Sequence, residues 1–183
     1  YFFDCNIEDI SSLETYPLSN LSELCLGHNN IGREGFITIA NLLQNEGSTL
    51  TELYLQSTGM GDKEAEILAN SLKCNTSLIE LDLEGNNIGQ RGYVAFLRLL
   101  NDVSSIESTY NSNHTLTTLG FLDDDETDSA LSAEIGIACR QNEHNTTPQA
   151  AGRAKVIHSQ LNSQTRKILR RLQGIQYSSI GNL

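Results

Sequence analysis

The chain has 183 residues, a hydrophobic content of 38% and a formal net charge of −11. This composition indicates one folded domain with a sizeable core, or a short repeat array with a flanking piece, and it favours a folded chain over a disordered one. Its apolar runs all fall short of the roughly 20 residues that a membrane-spanning helix requires, which excludes a transmembrane class for this sequence.

The pattern LxxLxLxxNxIG starts at Leu21 and Leu78 and recurs at Leu50 with Thr58 in the asparagine position and Met60 in the isoleucine position, so that successive starts lie 29 and 28 residues apart. Leucines at the first, fourth and sixth positions are predicted to point inward along a short strand, while positions three and five point outward. The ninth position turns the chain, and an inward asparagine there can bond the backbone amides of adjacent turns. Repeats of this length predict strands that stack as a parallel sheet.

A stretch of helical period follows each strand, over residues 34–45, 62–73 and 90–101. Apolar residues recur there at the spacing of an amphipathic helix, with Asp62 a candidate N-cap of the second one. The sequence therefore predicts an α/β solenoid with the sheet on its concave side and the helices on its convex side.

Weaker repeats flank the three clear ones. Val103, Ile106 and Ser108 match the pattern as a fifth strand, and Leu116 starts a sixth strand only 13 residues later. We therefore expect about six repeats, with the first truncated and the last ones irregular. The ninth positions form a predicted structural ladder of Cys5, Asn29, Thr58, Asn86 and Asn111.

The period, the ninth-position asparagine and the full helix in each repeat resemble the ribonuclease-inhibitor class of leucine-rich repeats, over residues 1–122. That class includes inhibitors, innate-immune sensor arrays and the GTPase-activating protein for Ran, and its members generally bind proteins on the concave face. The resemblance implies a protein-binding scaffold or sensor module that needs no cofactor. The alternative that it implies is a GTPase-activating regulator similar to the Ran activator.

Residues 123–128 are an acidic run that we interpret as a linker, because calcium ligands at set loop offsets and a turn glycine are lacking. Residues 129–183 have helical periodicity over 129–142, 148–161 and 163–173. A face with Ala154, Ile157 and Leu161 is expected to pack on the last repeat, so that these helices form a C-terminal cap.

Charge divides sharply between the two parts of the chain. Residues 148–183 carry six cations and no acid, whereas residues 1–147 carry a net charge of −17. A basic helix with Arg166, Lys167, Arg170 and Arg171 could bind an acidic partner, RNA or a membrane surface, or it could simply be a solvated helix face. The net charge of the whole chain disfavours nucleic acid.

The outward positions of the predicted strands form the candidate partner-binding surface. It comprises Glu23, Cys25, Glu52, Tyr54, Gln56, Glu80, Asp82, Glu84 and Glu107. Equivalent glutamates on successive strands would lie about 5 Å apart, where like charges oppose folding. A basic protein partner is one explanation for them, and polar residues that merely solvate an exposed sheet face are the other.

Motifs of catalysis are missing from the sequence, which contains no GxSxG, P-loop or HExxH pattern, so we predict a protein that is not an enzyme and has no metal site. The four cysteines have no CxxC spacing, which favours reduced thiols in a cytosolic or nuclear protein, and we expect a cytoplasmic one. Four Asn-x-Ser/Thr triplets, at Asn20, Asn75, Asn113 and Asn145, are attributed to chance. The chain starts at Tyr1 without a signal-peptide pattern, and we interpret this start as a cut end that lacks upstream repeats.

Overall fold

The computed structural model describes residues 2, 4–7, 9–11, 13, 20–120, 129–145 and 147–180, apart from the side chains of residues 129, 165, 166 and 168–180. The predicted acidic linker at 123–128 lies outside the described residues. The elements of the described part are, in chain order, β1 (Glu23–Cys25), α1 (Gly32–Gln44), β2 (Glu52–Tyr54), α2 (Asp62–Ser71), β3 (Glu80–Asp82), α3 (Gln90–Leu100), α4 (Ile106–Tyr110), β4 (Thr118–Gly120), α5 (Ser129–His144) and α6 (Pro148–Ile180).

The strands form one parallel sheet in the order β1-β2-β3-β4. Strands β1, β2 and β3 bury their central leucines, of which Leu53 and Leu81 are 0% exposed, and Leu119 of β4 is half-buried. Helices α1, α2, α3 and α5 pack in a row behind the sheet. The core lies between the two layers and includes the fully buried Phe36 and Phe96. The predicted α/β solenoid is therefore confirmed, because alternating outward and inward residues leave each strand only one apolar face to bury.

A ladder of side-chain amides joins the turns that follow the strands. The amide nitrogen of Asn86 donates to the carbonyl oxygens of Leu55 (2.7 Å) and Leu83 (2.9 Å), and its Oδ1 accepts from the backbone N–H groups of Thr58 and Met60, both at 3.0 Å. These bonds link one repeat to the next, so that buried backbone groups of both repeats are satisfied by one side chain.

Asn29 makes the equivalent hydrogen bonds to the segment that precedes its own repeat. Its Oδ1 accepts from the backbone N–H groups of Cys5 (3.1 Å) and Ile7 (2.9 Å), and its amide nitrogen donates to the carbonyl oxygen of Phe2 (2.6 Å). Cys5 therefore has the backbone position of Thr58, but its side chain is exposed, whereas Thr58 is buried. Cys5 takes part in the ladder through its backbone N–H, which donates to Asn29.

A second ladder, which the sequence pattern did not reveal, lies where the chain returns from each helix to the next strand. Asn75 donates from Nδ2 to the Leu43 carbonyl oxygen (2.8 Å), and Asn113 donates to the carbonyl oxygens of Leu72 (2.9 Å) and Asn75 (3.1 Å). Asn142 on α5 then donates to the carbonyl oxygen of Asn113 (3.2 Å). The second ladder thus comprises Asn75, Asn113 and Asn142, and all three side chains are buried.

Two of the Asn-x-Ser/Thr triplets, those of Asn75 and Asn113, lie in turns that their asparagines stabilise. In each triplet the asparagine Oδ1 accepts from the backbone N–H groups two and three residues later, for example Thr115 (3.0 Å) and Leu116 (2.9 Å). The triplet is therefore part of a turn that satisfies local backbone donors, and its amide nitrogen is occupied by backbone carbonyls.

The predicted fifth strand is wrong, because residues 106–110 form helix α4. Ser105 caps this helix with its Oγ, which accepts from the Ser108 backbone N–H at 2.9 Å. Val103 and Ile106, the expected inward residues, are 67% and 61% exposed. A serine that can satisfy a free N–H group favours a helix start over the three-residue strand that the leucine pattern suggested.

The strand of this repeat is instead β4, which pairs with β3 so that Leu119 lies beside Leu81. Leu116, which is 0% exposed, occupies the place of Leu78. These two leucines are 38 residues apart, ten more than the preceding spacing, and the extra residues include α4. Asn111, predicted as a ladder residue, is exposed at the end of α4 and lies outside both ladders.

The C-terminal helices differ from the prediction in two respects. Helix α5 packs on α3 and β4 and so continues the helix row, while α6 packs on α4 and α5. Helix α6 is one helix rather than two, since no glycine or proline interrupts residues 161–163.

Ile157 and Leu161 are 59% and 58% exposed, whereas Ala151 and Lys155 are buried. The face of α6 that is buried differs from the predicted one because the contact with α4 requires small residues. A Cβ at Gly152 would lie 2.9 Å from the Tyr110 carbonyl oxygen.

Asp62 does not cap its own helix, since Gly61 is the N-cap of α2. Its Oδ1 accepts from the backbone N–H groups of Gly89 and Gly92, both at 2.8 Å, and so caps the next helix, α3. We expect Asp62→Ala to lower the free energy of unfolding by about 1–2 kcal/mol, the usual cost of a lost cap. Urea unfolding measures this loss, and Glu66→Ala at an exposed site of α2 is the control. A loss no larger than that of the control would contradict the capping role.

Candidate functional site

The outward side chains of the sheet form one surface, which we call the concave strip: Glu23, Cys25, Glu52, Tyr54, Gln56, Glu80, Asp82 and Glu84. The strand register sets Glu23 beside Glu52 and Glu52 beside Glu80, at the strand spacing of about 4.8 Å. All three glutamates are half-buried at their strands. The predicted row of equivalent acids is thus formed by the sheet.

Tyr54 lies in the middle of the concave strip and is tied to this row. Its hydroxyl donates to Glu52 Oε2 at 2.9 Å. That hydrogen bond raises the pKa of the Tyr54 phenol well above its ordinary value, and burial and the charges of Glu80, Glu52 and Glu23 raise the pKa further. The Tyr54 phenol therefore stays neutral at physiological pH and lies among three carboxylates.

The remaining members of the concave strip lie just beyond the strands. Gln56 donates from Nε2 to Asp82 Oδ2 at 2.6 Å, which holds both side chains in place. Asp82 Oδ1 accepts from the Glu84 backbone N–H at 3.0 Å, and the Glu84 side chain is exposed. Gly120 follows on β4, where a Cβ would lie 2.9 Å from Asp82 Oδ1, so the absence of a side chain leaves the carboxylate uncovered on that side.

Glu107 is not part of this surface. It was placed there because residues 103–108 matched the strand pattern, but it lies in the first turn of α4, where an acid suits the helix dipole. The residue that does extend the row is Thr118, which pairs with Glu80. Thr118 occupies position three of the repeat that starts at Leu116, so the repeat pattern could have identified it. The acidic row therefore ends in a neutral, exposed threonine.

The predicted basic helix falls within α6, whose backbone is described to Ile180. Of its four cations, Lys167 is exposed, and the side chains of Arg166, Arg170 and Arg171 lie outside the described residues. Within the described part of the chain, no group of three or more His, Cys, Asp or Glu side chains has the arrangement of a metal site. No helix in this same part has the length and apolarity to cross a membrane.

Comparison with known proteins agrees with this geometry. A family model described as "Leucine Rich repeat" matches residues 18–40 and 74–97. The chain is 34% identical over 85 residues to the ribonuclease inhibitor of Mus musculus, a match that covers 46% of this chain and 19% of the inhibitor. It is 36% identical over 70 residues to NACHT, LRR and PYD domains-containing protein 5 of Mus musculus, covering 38% of this chain and 6% of that protein. The chain thus matches less than a fifth of either relative.

Two solved structures have a similar fold. The leiomodin-1 actin-binding site 2 superposes with a TM-score of 0.53 at 21% identity, covering 87% of this chain and 90% of that one. The tropomodulin C-terminal domain of Caenorhabditis elegans gives 0.50 at 19% identity, covering 85% and 91%. The repeat spacing, the parallel sheet and the helix row are those of a leucine-rich repeat fold, and parts of the chain are similar to the leucine-rich repeat family model and to the ribonuclease inhibitor.

Proposed function

We propose that this chain is a protein-binding scaffold, acting without catalysis, whose concave strip recognises a basic partner. The observation that carries the proposal is the register of Glu23, Glu52 and Glu80 on adjacent strands, with Tyr54 bonded to the middle one. Carboxylates about 5 Å apart repel one another, and cations of a partner would relieve that repulsion. Tyr54 adds the kind of aromatic group that dominates binding energy at interfaces.

The charge pattern supports a basic partner over an acidic one. Asp82 and Glu84 continue the negative surface past the strand ends, so that the concave strip carries five carboxylates and no cation. Such a surface steers a positively charged protein toward it and speeds association, and it disfavours acidic competitors. The alternative that polar groups only solvate the sheet predicts no dependence of binding on these acids.

Charge reversal on the concave strip tests the proposal. We expect Glu52→Lys with Glu80→Lys to weaken capture of the partner at least about tenfold, because four charge units change at the centre of the contact. The matched control is Glu34→Lys with Glu66→Lys, which makes the same charge change at exposed sites of α1 and α2. Pull-down with mass spectrometry identifies partners, and titration with a fluorescent lysine-rich peptide compares the affinities of the variants.

Capture and affinity that survive in the concave variant, while circular dichroism stays native, would contradict the proposal. Actin belongs in the partner panel because one structural neighbour is named for an actin-binding site. That likeness concerns the fold alone, so actin enters only as a protein to assay. GTPase activation rests on repeat class alone, and unchanged GTP hydrolysis by small GTPases in the presence of the chain would dismiss it.

A further inference from the structure

The junction between α6 and the repeat array contains a lysine that is wholly removed from water. Lys155 is 0% exposed, and its Nζ donates to the Asn113 carbonyl oxygen (2.7 Å) and to His114 Nδ1 (3.1 Å). Asn113 belongs to the second ladder, so Lys155 joins α6 to that ladder. A buried ammonium group is costly unless a carboxylate pairs with it.

The partners of Lys155 suit a neutral amine. His114 Nε2 lies 2.6 Å from the Tyr110 carbonyl oxygen, which can only accept, so Nε2 carries the ring proton and Nδ1 is left as an acceptor. A neutral amine has two N–H groups, and Asn113 and His114 use both. In the described part of the chain, no carboxylate contacts Nζ. A third proton would therefore be buried without a counterion.

Three titratable side chains meet here from the elements that pack together. Burial lowers the pKa of Lys155 to about 7, well below its ordinary value of 10.5. Burial also lowers the pKa of His114 from 6.5, and the charge of Lys155 adds to that effect. Cys139, on α5, has its pKa raised by burial to about 11, so its thiol is neutral at physiological pH. Helix α4 contributes the Tyr110 backbone carbonyl to these contacts, and Glu107 of α4 lines a groove with Arg153 of α6.

We propose that Lys155 makes the docking of α6 on the repeat array depend on pH, so that the helix docks more tightly as the pH rises from 7 to about 9. The junction is then a pH-sensitive clasp between α6 and Asn113 of the second ladder. Its contacts are close, because Gly152 brings the α6 backbone against Tyr110 and His114.

The direction follows from proton binding. Undocked α6 exposes Lys155, which then holds its proton up to about pH 10.5, whereas docked Lys155 loses it near pH 7. Between these values the undocked state binds more protons, so docking strengthens with rising pH and weakens as the pH falls toward 7. Below pH 6.5, protonation of His114 in the undocked state weakens docking further. Above pH 9, ionisation of the undocked Cys139 thiol opposes any further gain.

Hydrogen–deuterium exchange at pH 7.0 and 8.5 tests the clasp within the window that belongs to Lys155. After correction for intrinsic exchange, we expect the protection factors of α6 amides around residues 150–160 to rise about 15-fold between these pH values. In Lys155→Met, an apolar side chain of similar length, the rise should fall to less than about twofold. Lys167→Met, which removes an exposed lysine from the same helix, should retain the full rise.

A rise that persists in Lys155→Met, or its absence in the unmodified chain, would overturn the proposal. Should Lys155→Met disturb packing, an NMR titration of the unmodified chain with lysine-selective labels decides the matter. One lysine resonance that titrates near pH 7 supports the clasp, and titration of every lysine near 10 rejects it.

Discussion

Asn113→Ala is expected to lower the free energy of unfolding by about 3–4 kcal/mol, since each buried polar group left without a partner costs about 1–3 kcal/mol and water relieves part of the loss. The side chain makes four hydrogen bonds, accepting from the N–H groups of Thr115 and Leu116 and donating to the carbonyls of Leu72 and Asn75. Alanine abandons all of these groups at a site that is 4% exposed. Urea unfolding followed by circular dichroism measures the change.

Asn111→Ala is the matched control for this experiment. The sequence pattern favours Asn111 as the ladder residue, whereas the structure places it in solvent two positions before the asparagine that joins the ladder. We expect a change within about 0.5 kcal/mol, as is usual for an exposed polar residue. If Asn111→Ala destabilised the chain as much as Asn113→Ala, the second ladder would be wrongly placed.

Phe96→Ala is expected to be the other large loss, about 3–5 kcal/mol, the usual cost of removing a buried aromatic ring and leaving a cavity. Phe96 is 0% exposed on α3, which packs between α2 and α5 in the helix row. In a repeat array each unit contacts only its neighbours, so a cavity in this central helix weakens both adjacent interfaces.

Thermal unfolding and urea unfolding give the loss for Phe96→Ala, with Arg98→Ala as the control at an exposed position of the same helix. We also expect the urea unfolding transition of this variant to change shape. Because the loss lies between repeats, unfolding of Phe96→Ala should become less cooperative, with a smaller dependence on urea. An unchanged midpoint would contradict the central place of Phe96 in the core.

The ladders show where sequence reasoning succeeds and where it stops. Asn29 and Asn86 were assigned from spacing, because a fixed distance after three inward leucines sets the turn. Asn75 and Asn113 precede their leucines by three residues, but each bonds a carbonyl of the preceding repeat, at Leu43 and Leu72. The distance between each asparagine and its carbonyl partner depends on how the repeats stack. A local sequence pattern therefore cannot predict these hydrogen bonds.

The concave strip follows the same division. Period-two alternation assigned Glu23, Glu52 and Glu80 to one face, since side chains of a strand alternate and parallel repeats keep their register. Glu107 was misplaced because its segment satisfies the leucine pattern in composition while its residues cap and form a helix. The choice between strand and helix for such a short segment depends on what packs against it, here α6.

The repeat, its period and its outward acids were determined by the sequence alone, because inward leucines at fixed spacing can be buried in only one arrangement of stacked strands and helices. The tertiary structure decided which strand β3 pairs with, which face of α6 is buried and that Lys155 reaches Asn113. These features depend on close approach between segments some 40 residues apart. Shape and the cost of unsatisfied buried groups govern such contacts, and both arise only when the chain has packed.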